Sequence, residues 1–245
     1  MKHLDSTFQS KEDIRRLVWR LMEENGVARP PMPIYGRIPN FEGSERAAER
    51  ILDIEEFARA ETVKVNPDSP QRPLRELVLK SGKNLLTPTP RLRDGFLFVK
   101  PGTVPGKNYR FASTIRGSFK YGVKVGLDDI PKPDFIIVGS VAVTLGGSRV
   151  GKGSGYSELE CGVLAELGLI DEKVPIATTV HELQIVEHIP REVYDINVDY
   201  ILTPERKVRT DSTPTSRKGI VWNMVTREMM LKMPILENLY RMRRI

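Results

Sequence analysis

Cysteine is nearly absent from this chain, and histidine and tryptophan are scarce. One cysteine, Cys161, in 245 residues excludes an internal disulfide and any cysteine-rich metal centre. The three histidines, His3, His181 and His188, show no His-x-x-x-His spacing, so no histidine metal cluster is expected. The serine-hydrolase elbow Gly-x-Ser-x-Gly is also missing, because Gly153-Ser154-Gly155 lacks the spacers. No apolar run approaches the ~18 residues that a spanning helix needs, and the polar N-terminal stretch has no apolar signal core. The expectation is a cytoplasmic protein with no membrane partner. Internal repeats and low-complexity tracts are absent as well.

What is present is positive charge, with 38 Lys and Arg against 32 Asp and Glu, a net +6. That balance favours anionic ligands without naming one. The stretch around which the chain is organised runs from Pro133 to Gly168. Phe135 to Val143 is a near-continuous apolar run, suited to a strand buried on both faces of a parallel sheet. Leu159, Val163 and Leu167 are four apart, one stripe of a helix that Gly168 can end. Between them stand Gly146, Gly147, Gly151, Gly153 and Gly155, with Arg149 and Lys152 among them. Strand, glycine-rich turn and helix make an anion site: glycines let backbone N–H groups approach a phosphate, and the helix N-terminus adds positive partial charge. Gly146 to Lys152 has P-loop spacing, but Gly153 stands where a magnesium-binding Ser or Thr belongs. Gly-x-Gly-x-x-Gly is broken by Tyr156.

In chain order, Ser10 and Asp13 start a first helix whose apolar stripe is Ile14, Leu17, Val18, Leu21 and Met22, and Asn25-Gly26 ends it. Lys11 and Arg15 share a face of that helix, which composition alone reads as solvated. A proline-rich connector over 28–42 precedes a second helix from Ser44, with Ala47, Ala48, Ile51 and Leu52 inward. Strands are expected at Thr62–Val65, Asn84–Thr87, Phe96–Val99, Pro175–Val180 and Asp199–Thr203, alternating with helices, which argues for a doubly wound α/β sheet. Residues 100–131, basic and glycine-bearing, read as a loop over a ligand or a plain surface loop. Thr210 to Ser216 is a polar linker. A terminal helix from about Thr226 follows, then Pro234 and a short basic end, Arg241, Arg243 and Arg244. Trp222, Met229, Met230 and Leu231 place this tail back on the domain. Residues 1–209 are thus expected to form one domain and 210–245 an extension that packs on it, in a monomer or homodimer. Cys161, inside a helix, reads as a buried thiol. Two carboxylates could flank a phosphate site. Glu158 lies in the first turn after the glycine loop and Asp195 in a loop before the last strand, and magnesium takes one or two carboxylates beside phosphate oxygens.

Together these features resemble the 5-formyltetrahydrofolate cyclo-ligase family. Its central motif, Arg-Leu-Gly-x-Gly-x-Gly-Tyr-Tyr-Asp, is similar to Arg149-Val150-Gly151-Lys152-Gly153-Ser154-Gly155-Tyr156-Ser157-Glu158. Its N-terminal Lys-x-x-x-Arg looks like Lys11 and Arg15, and its Asp-x-x-Val-Asp looks like Asp195 to Asp199; Gln184 and Pro190 stand at matching offsets. The resemblance implies a Rossmann-like α/β three-layer sandwich of the sugar-isomerase and CoA-transferase type. It implies ATP and Mg2+ as cofactors and a folate as substrate. Lys11, Arg15, Arg149, Gly151, Lys152, Gly153, Ser154, Gly155 and Tyr156 would then bind ATP, with Lys152 and Arg149 catalytic. Asp68 and Tyr156 would contact the folate, and Glu158 and Asp195 the metal. The expected reaction converts 5-formyltetrahydrofolate to 5,10-methenyltetrahydrofolate with release of ADP and phosphate. Tyr-Tyr-Asp has become Tyr156-Ser157-Glu158, a phenylalanine appears as His181, and no tryptophan loop covers the pterin, since Trp19 and Trp222 lie elsewhere. The alternative reading is a nucleotide- or anion-binding module of the same fold without cyclo-ligase activity. The basic balance leaves RNA contact as its possible use.

Overall fold

The computed structural model describes residues 10–211 and 219–243. It opens with α1 (Lys11–Glu24). Ser10 caps it, accepting from the Asp13 amide at 3.2 Å. A short ribbon follows, β1 (Ala28–Arg29) against β2 (Asn40–Phe41), and then α2 (Ser44–Glu49) and α3 (Glu55–Arg59). A 3-10 turn over Arg50–Asp53 separates the last two, and it leaves Leu52 exposed where the helical stripe had put it inward.

The central unit is an eight-stranded sheet. Its members are β3 (Thr62–Val65), β4 (Asn84–Pro88), β5 (Phe96–Val99), β6 (Val123–Val125), β7 (Phe135–Val138), β10 (Ile176–Thr179), β11 (Tyr200–Leu202) and β12 (Lys207–Arg209). Strands β8 (Ala142–Val143) and β9 (Arg149–Val150) form a separate hairpin. The sheet order is β12-β11-β10-β7-β3-β4-β5-β6. The five strands from β11 to β4 run parallel, while β12 pairs antiparallel with β11, β5 with β4, and the edge strand β6 with β5. Within the parallel set the chain starts in β3, steps out to β4, then returns past β3 to β7. Such a sheet places its ligand crevice beyond the carboxyl ends of the strands where the order reverses, here β3 and β7.

Successive strand residues face opposite layers. Phe135 and Ile137 pack with Val63 and Val65 under α2, α3 and α4 (Arg72–Lys80). Ile136 and Val138 pack with Leu159, Val163 and Leu164 of α7 (Tyr156–Glu166) on the other face. A third cluster joins Ile14, Val18 and Met22 of α1 to Val141, Ala142 and Val150 of the hairpin. The result is an α/β sandwich with α1 clamped over the hairpin end of the sheet.

Several expectations are corrected. The apolar run Phe135–Val143 is not one strand: β7 stops at Val138, and the chain passes through Gly139, which lies against Gln71 and Ile38 where an added Cβ would meet side-chain atoms at 3.0 Å, before β8 begins at Ala142. The P-loop spacing is coincidental, since Gly146 and Gly147 belong to the β8–β9 turn and the hairpin separates them from Lys152. Residues 100–131 are no open loop; they form α5 (Tyr109–Ala112) and α6 (Ile115–Tyr121), capped by Asn108 and Thr114, and then β6. The tail carries two helices, α8 (Arg227–Lys232) and α9 (Pro234–Met242). Leu231 points to solvent, while Ile235, Leu236 and Leu239 enter the main core. At roughly 1.5–3 kcal/mol per buried aliphatic side chain, α9 contributes several kcal/mol, enough to make it part of the folded unit. The linker expected over Thr210–Ser216 lies largely outside the described residues, as does Arg244.

Candidate active site

Glycine chemistry shapes the centre of the site. After β9 the chain runs through Gly151 to Gly155 into α7. Gly153 (φ +98°) and Gly155 (φ +68°) are left-handed, a conformation that disfavours L side chains. A Cβ on Gly151 would stand 2.6 Å from Nη2 of Arg149, so only glycine lets that guanidinium tuck under the loop. The loop rests on α1, where Arg15 Nε donates to the Gly151 carbonyl at 2.7 Å. Gly155 is the N-cap of α7, and no side chain caps that end. Its first N–H groups are therefore available to an anion.

Two cavities flank this loop. A cleft of about 590 Å³ has Lys11, Arg15, Ser154 and Asp195 on one side and residues from the C-terminal segment on the other. A second cavity of about 440 Å³ is walled by Asp68, Lys152, Tyr156, Ser157 and Glu160 and by Arg37 from the proline-rich connector. Arg149, Gly151, Ser154, Gly155 and Glu158 line both. Every site residue expected from the sequence thus borders one cavity or the other. Lys152 faces the second, where its Nζ donates to Asp68 Oδ1 at 2.8 Å.

The charges are internally paired. Lys11 Nζ lies 2.6 Å from Asp195, and Arg149 Nη1 donates to Glu158 at 2.7 Å. Two of the expected phosphate ligands thus hold the two expected metal ligands, while Arg15 pairs with Glu12 and Lys152 with Asp68. Arg149 is buried, yet its Nε and Nη2 have no partner. Two unsatisfied guanidinium donors in a buried wall are costly, and an anion would satisfy them. Among the described residues no group of three or more His, Cys, Asp or Glu is arranged to hold a metal ion unaided. Glu158 and Asp195 fit instead a magnesium ion that arrives with phosphate oxygens. Asp199, the second acid of the Asp-x-x-Val-Asp match, is turned away and accepts from the Ile176 amide at 2.7 Å. Gln184 is structural too: it donates to the carbonyls of Ser140 and Val141 and holds the bend after β7. His181 caps the following turn, accepting from the Leu183 amide at Nδ1, and burial holds its pKa below the usual imidazole range.

Sequence reasoning missed the floor of the second cavity. Val63 and Val65 face α2–α4, so Lys64 must point toward α7. There its Nζ meets Glu160 at 2.5 Å and Asn66 Oδ1 at 2.5 Å, fully buried. Asn66 in turn donates to Ser157 Oγ at 2.7 Å. Burial raises the Glu160 pKa, and Lys64 opposes the rise. Arg75 fastens the same turn, donating to the carbonyls of Asn66, Asp68 and Ser113; burial lowers its pKa to about 10. The available signal was a lone lysine inside Thr62-Val63-Lys64-Val65 and a lone glutamate between Leu159 and Cys161.

The fold is that of an α/β protein of Rossmann-like topology, with a glycine-rich loop and two cavities at the switch point of its sheet. The chain belongs to the 5-formyltetrahydrofolate cyclo-ligase family, whose model matches residues 7–204. It is 45% identical over 236 residues to the human (Homo sapiens) methenyltetrahydrofolate synthase domain-containing protein, covering 94% of this chain and 61% of that one. The Danio rerio protein of the same name is 38% identical, covering 94% of this chain and 62% of that protein. The chain therefore spans about three fifths of the length of these curated relatives. The NMR structure of Aquifex aeolicus 5,10-methenyltetrahydrofolate synthetase superposes with a TM-score of 0.52 at 22% identity, over 83% of this chain and 94% of that one, and shares its fold. No helix among the described residues is long and apolar enough to cross a membrane.

Proposed function

We propose that this chain is an ATP-dependent ligase acting on 5-formyltetrahydrofolate in the cytoplasm. The observation that carries the reading is the partition between the cavities. The residues that border both are Gly151, Ser154 and Gly155 of the glycine loop, Glu158, and Arg149, whose two buried donors lack partners. The 590 Å³ cleft takes ATP and the 440 Å³ cavity the folate, so that donor phosphate and formyl oxygen meet at the shared wall. The formyl oxygen attacks the γ-phosphorus, and the bond to ADP breaks. The second folate nitrogen then attacks the activated carbon and gives up its proton to solvent, the bond to the phosphorylated oxygen breaks, and phosphate leaves, giving the 5,10-methenyl product.

This chain's residues position the reactants and stabilise charge. Lys11 and Arg149 exchange their carboxylate partners for phosphate oxygens. Glu158 and Asp195, so released, would hold a magnesium ion brought in with the triphosphate, which when bound would supply charge neutralisation at the transferring group. Arg15 and the first amides of α7 complete the cradle. Lys152 and Asp68 occupy the folate side, with Tyr156 beside them.

The test is direct. Purified protein with ATP, Mg2+ and 5-formyltetrahydrofolate should accumulate the methenyl product's near-ultraviolet absorbance. ATP binding without turnover would sink the ligase reading and leave an anion-binding module. One observation favours that second reading: Ser157, standing where the family motif has tyrosine, is tied to Asn66 and the buried Lys64–Glu160 pair.

A further inference from the structure

From the make-up of the 590 Å³ cleft we infer that the segment Gly219–Met230 is the nucleobase-binding wall of this protein, a role that rests on the nucleotide reading above. One half of the cleft is ionic and holds Lys11, Arg15, Arg149 and Asp195. The facing half is apolar: Ile220, Val221, Met224, Val225 and Met229. A cleft polar at one end and apolar at the other matches a nucleotide, with phosphates on the cations and a flat base on the methionines and aliphatics. Large apolar side chains are left in solvent at its mouth, Met224 at 46% and Val193 at 81% exposed, and Tyr194 stands beside them. Exposed apolar groups gathered around one cleft are an interaction surface rather than packing.

The wall is held firmly. Glu166, the last residue of α7, accepts from the Ile220 amide at 3.0 Å and from Trp222 Nε1 at 3.2 Å. Gly162 and Gly219 permit the close approach, since a Cβ on Gly162 would reach Ile220 at 3.0 Å and one on Gly219 would reach Glu166 Oε2 at 2.0 Å. Trp222 also packs on Tyr240 of α9, with ring centroids 5.2 Å apart. All of these wall residues lie beyond residues 7–204, the part matched by the family model. The cradle thus lies within the stretch the family model matches, whereas the proposed base-binding wall lies outside it, in the C-terminal segment.

The experiment compares ATP with inorganic tripolyphosphate, both with Mg2+, by titration calorimetry on the whole chain. Wild type should bind ATP at least about tenfold more tightly than tripolyphosphate, the difference being the base and sugar. Met224→Ser with Met229→Ser should erase most of that preference and leave tripolyphosphate affinity within about twofold. Equal affinity of wild type for the two ligands overturns the wall while leaving the cradle. Unchanged ATP preference in a variant that melts like wild type overturns it too. Wild type that binds neither ligand overturns the nucleotide reading itself. The wild-type comparison decides the matter even if the double variant does not fold.

Discussion

Lys64 and Glu160 form a fully buried ion pair, with Lys64 at 0% side-chain exposure and Glu160 at 4%. Taking either charge away leaves the other without its counter-ion in a place water does not reach. Breaking such a pair costs roughly 3–5 kcal/mol, while replacing both partners with apolar groups of similar size is neutral or stabilising. We therefore expect Lys64→Met and Glu160→Leu each to lower stability by about 3–5 kcal/mol and the double variant to regain most of it. With a urea m-value of about 3 kcal/mol/M for a chain of this size, each single variant should unfold about 1–2 M earlier. The pH response separates this cause from a packing defect. In Lys64→Met the carboxyl of Glu160 keeps its burial and loses the group that opposed the rise in its pKa. A raised folded pKa gives stability that is full below the unfolded value of about 4.5 and is lost as pH rises through the folded one. The Lys64→Met deficit should therefore grow from pH 5 toward pH 8. Single-variant effects that simply add in the double variant, within the ~0.5 kcal/mol that marks independent sites, would refute the pairing argument.

Gly151→Ala puts a methyl group 2.6 Å from Arg149 Nη2 and should expel that guanidinium. ATP affinity should fall at least tenfold, and unaltered calorimetric binding would count against the cradle. Lys152→Ala removes the partner of Asp68 on the folate side. It should raise the KM for the folate more than that for ATP, and a rise confined to ATP would move Lys152 to the other cavity. His181 must be neutral to accept from the Leu183 amide, and burial lowers its pKa from 6.5. That contribution is present above the unfolded value and is lost as pH falls from about 6.5 through the folded one. Melting temperature should drop over this window in wild type and stay flatter in His181→Asn, where asparagine remains a cap; parallel curves would exclude His181 as the cause.

Short strands were legible where β-branched and aromatic residues stand together between turn signals: Thr62–Val65 of the parallel set and the antiparallel Phe96–Val99 were found to the residue. The loop before α7 was legible for a local reason: a tight turn needs glycine wherever φ is positive, and Gly153 and Gly155 stand in the sequence at those positions. Features set by tertiary contact were not. The apolar run gave no sign that β7 ends at Val138, whereas in the fold Gly139 lies against Gln71 and Ile38 and the chain turns away. The edge strand β12 is three residues long and polar, with no period to read. Helices α5 and α6 hid behind glycine because Gly117 looks like a breaker; it is there because α6 lies on the Phe111 backbone, and a Cβ would fall 1.8 Å from that carbonyl oxygen. Lys64 and Glu160 lie 96 positions apart, and only the strand-to-helix packing reveals that each accounts for the other.

Pairing every site cation with a carboxylate has a consequence for the chemistry. An anion can meet the unpartnered Nε and Nη2 of Arg149, but to reach Lys11 Nζ or Arg149 Nη1 it must displace Asp195 or Glu158. Tripolyphosphate alone would leave two carboxylates facing its oxygens, and like charges at such range cost energy. A divalent cation removes that cost by taking the carboxylates as the phosphates take the cations, so the exchange conserves charge on both sides. Binding of phosphates and of magnesium should then be mutually dependent, each raising the affinity for the other by the same factor. Removing one carboxylate breaks that symmetry in a definite direction. Glu158→Gln should bind metal-free triphosphate more tightly than wild type, because Arg149 no longer has to be released, and should gain less from added Mg2+. A variant that loses metal-free binding instead would mean that Glu158 orients Arg149 for the ligand rather than competing with it.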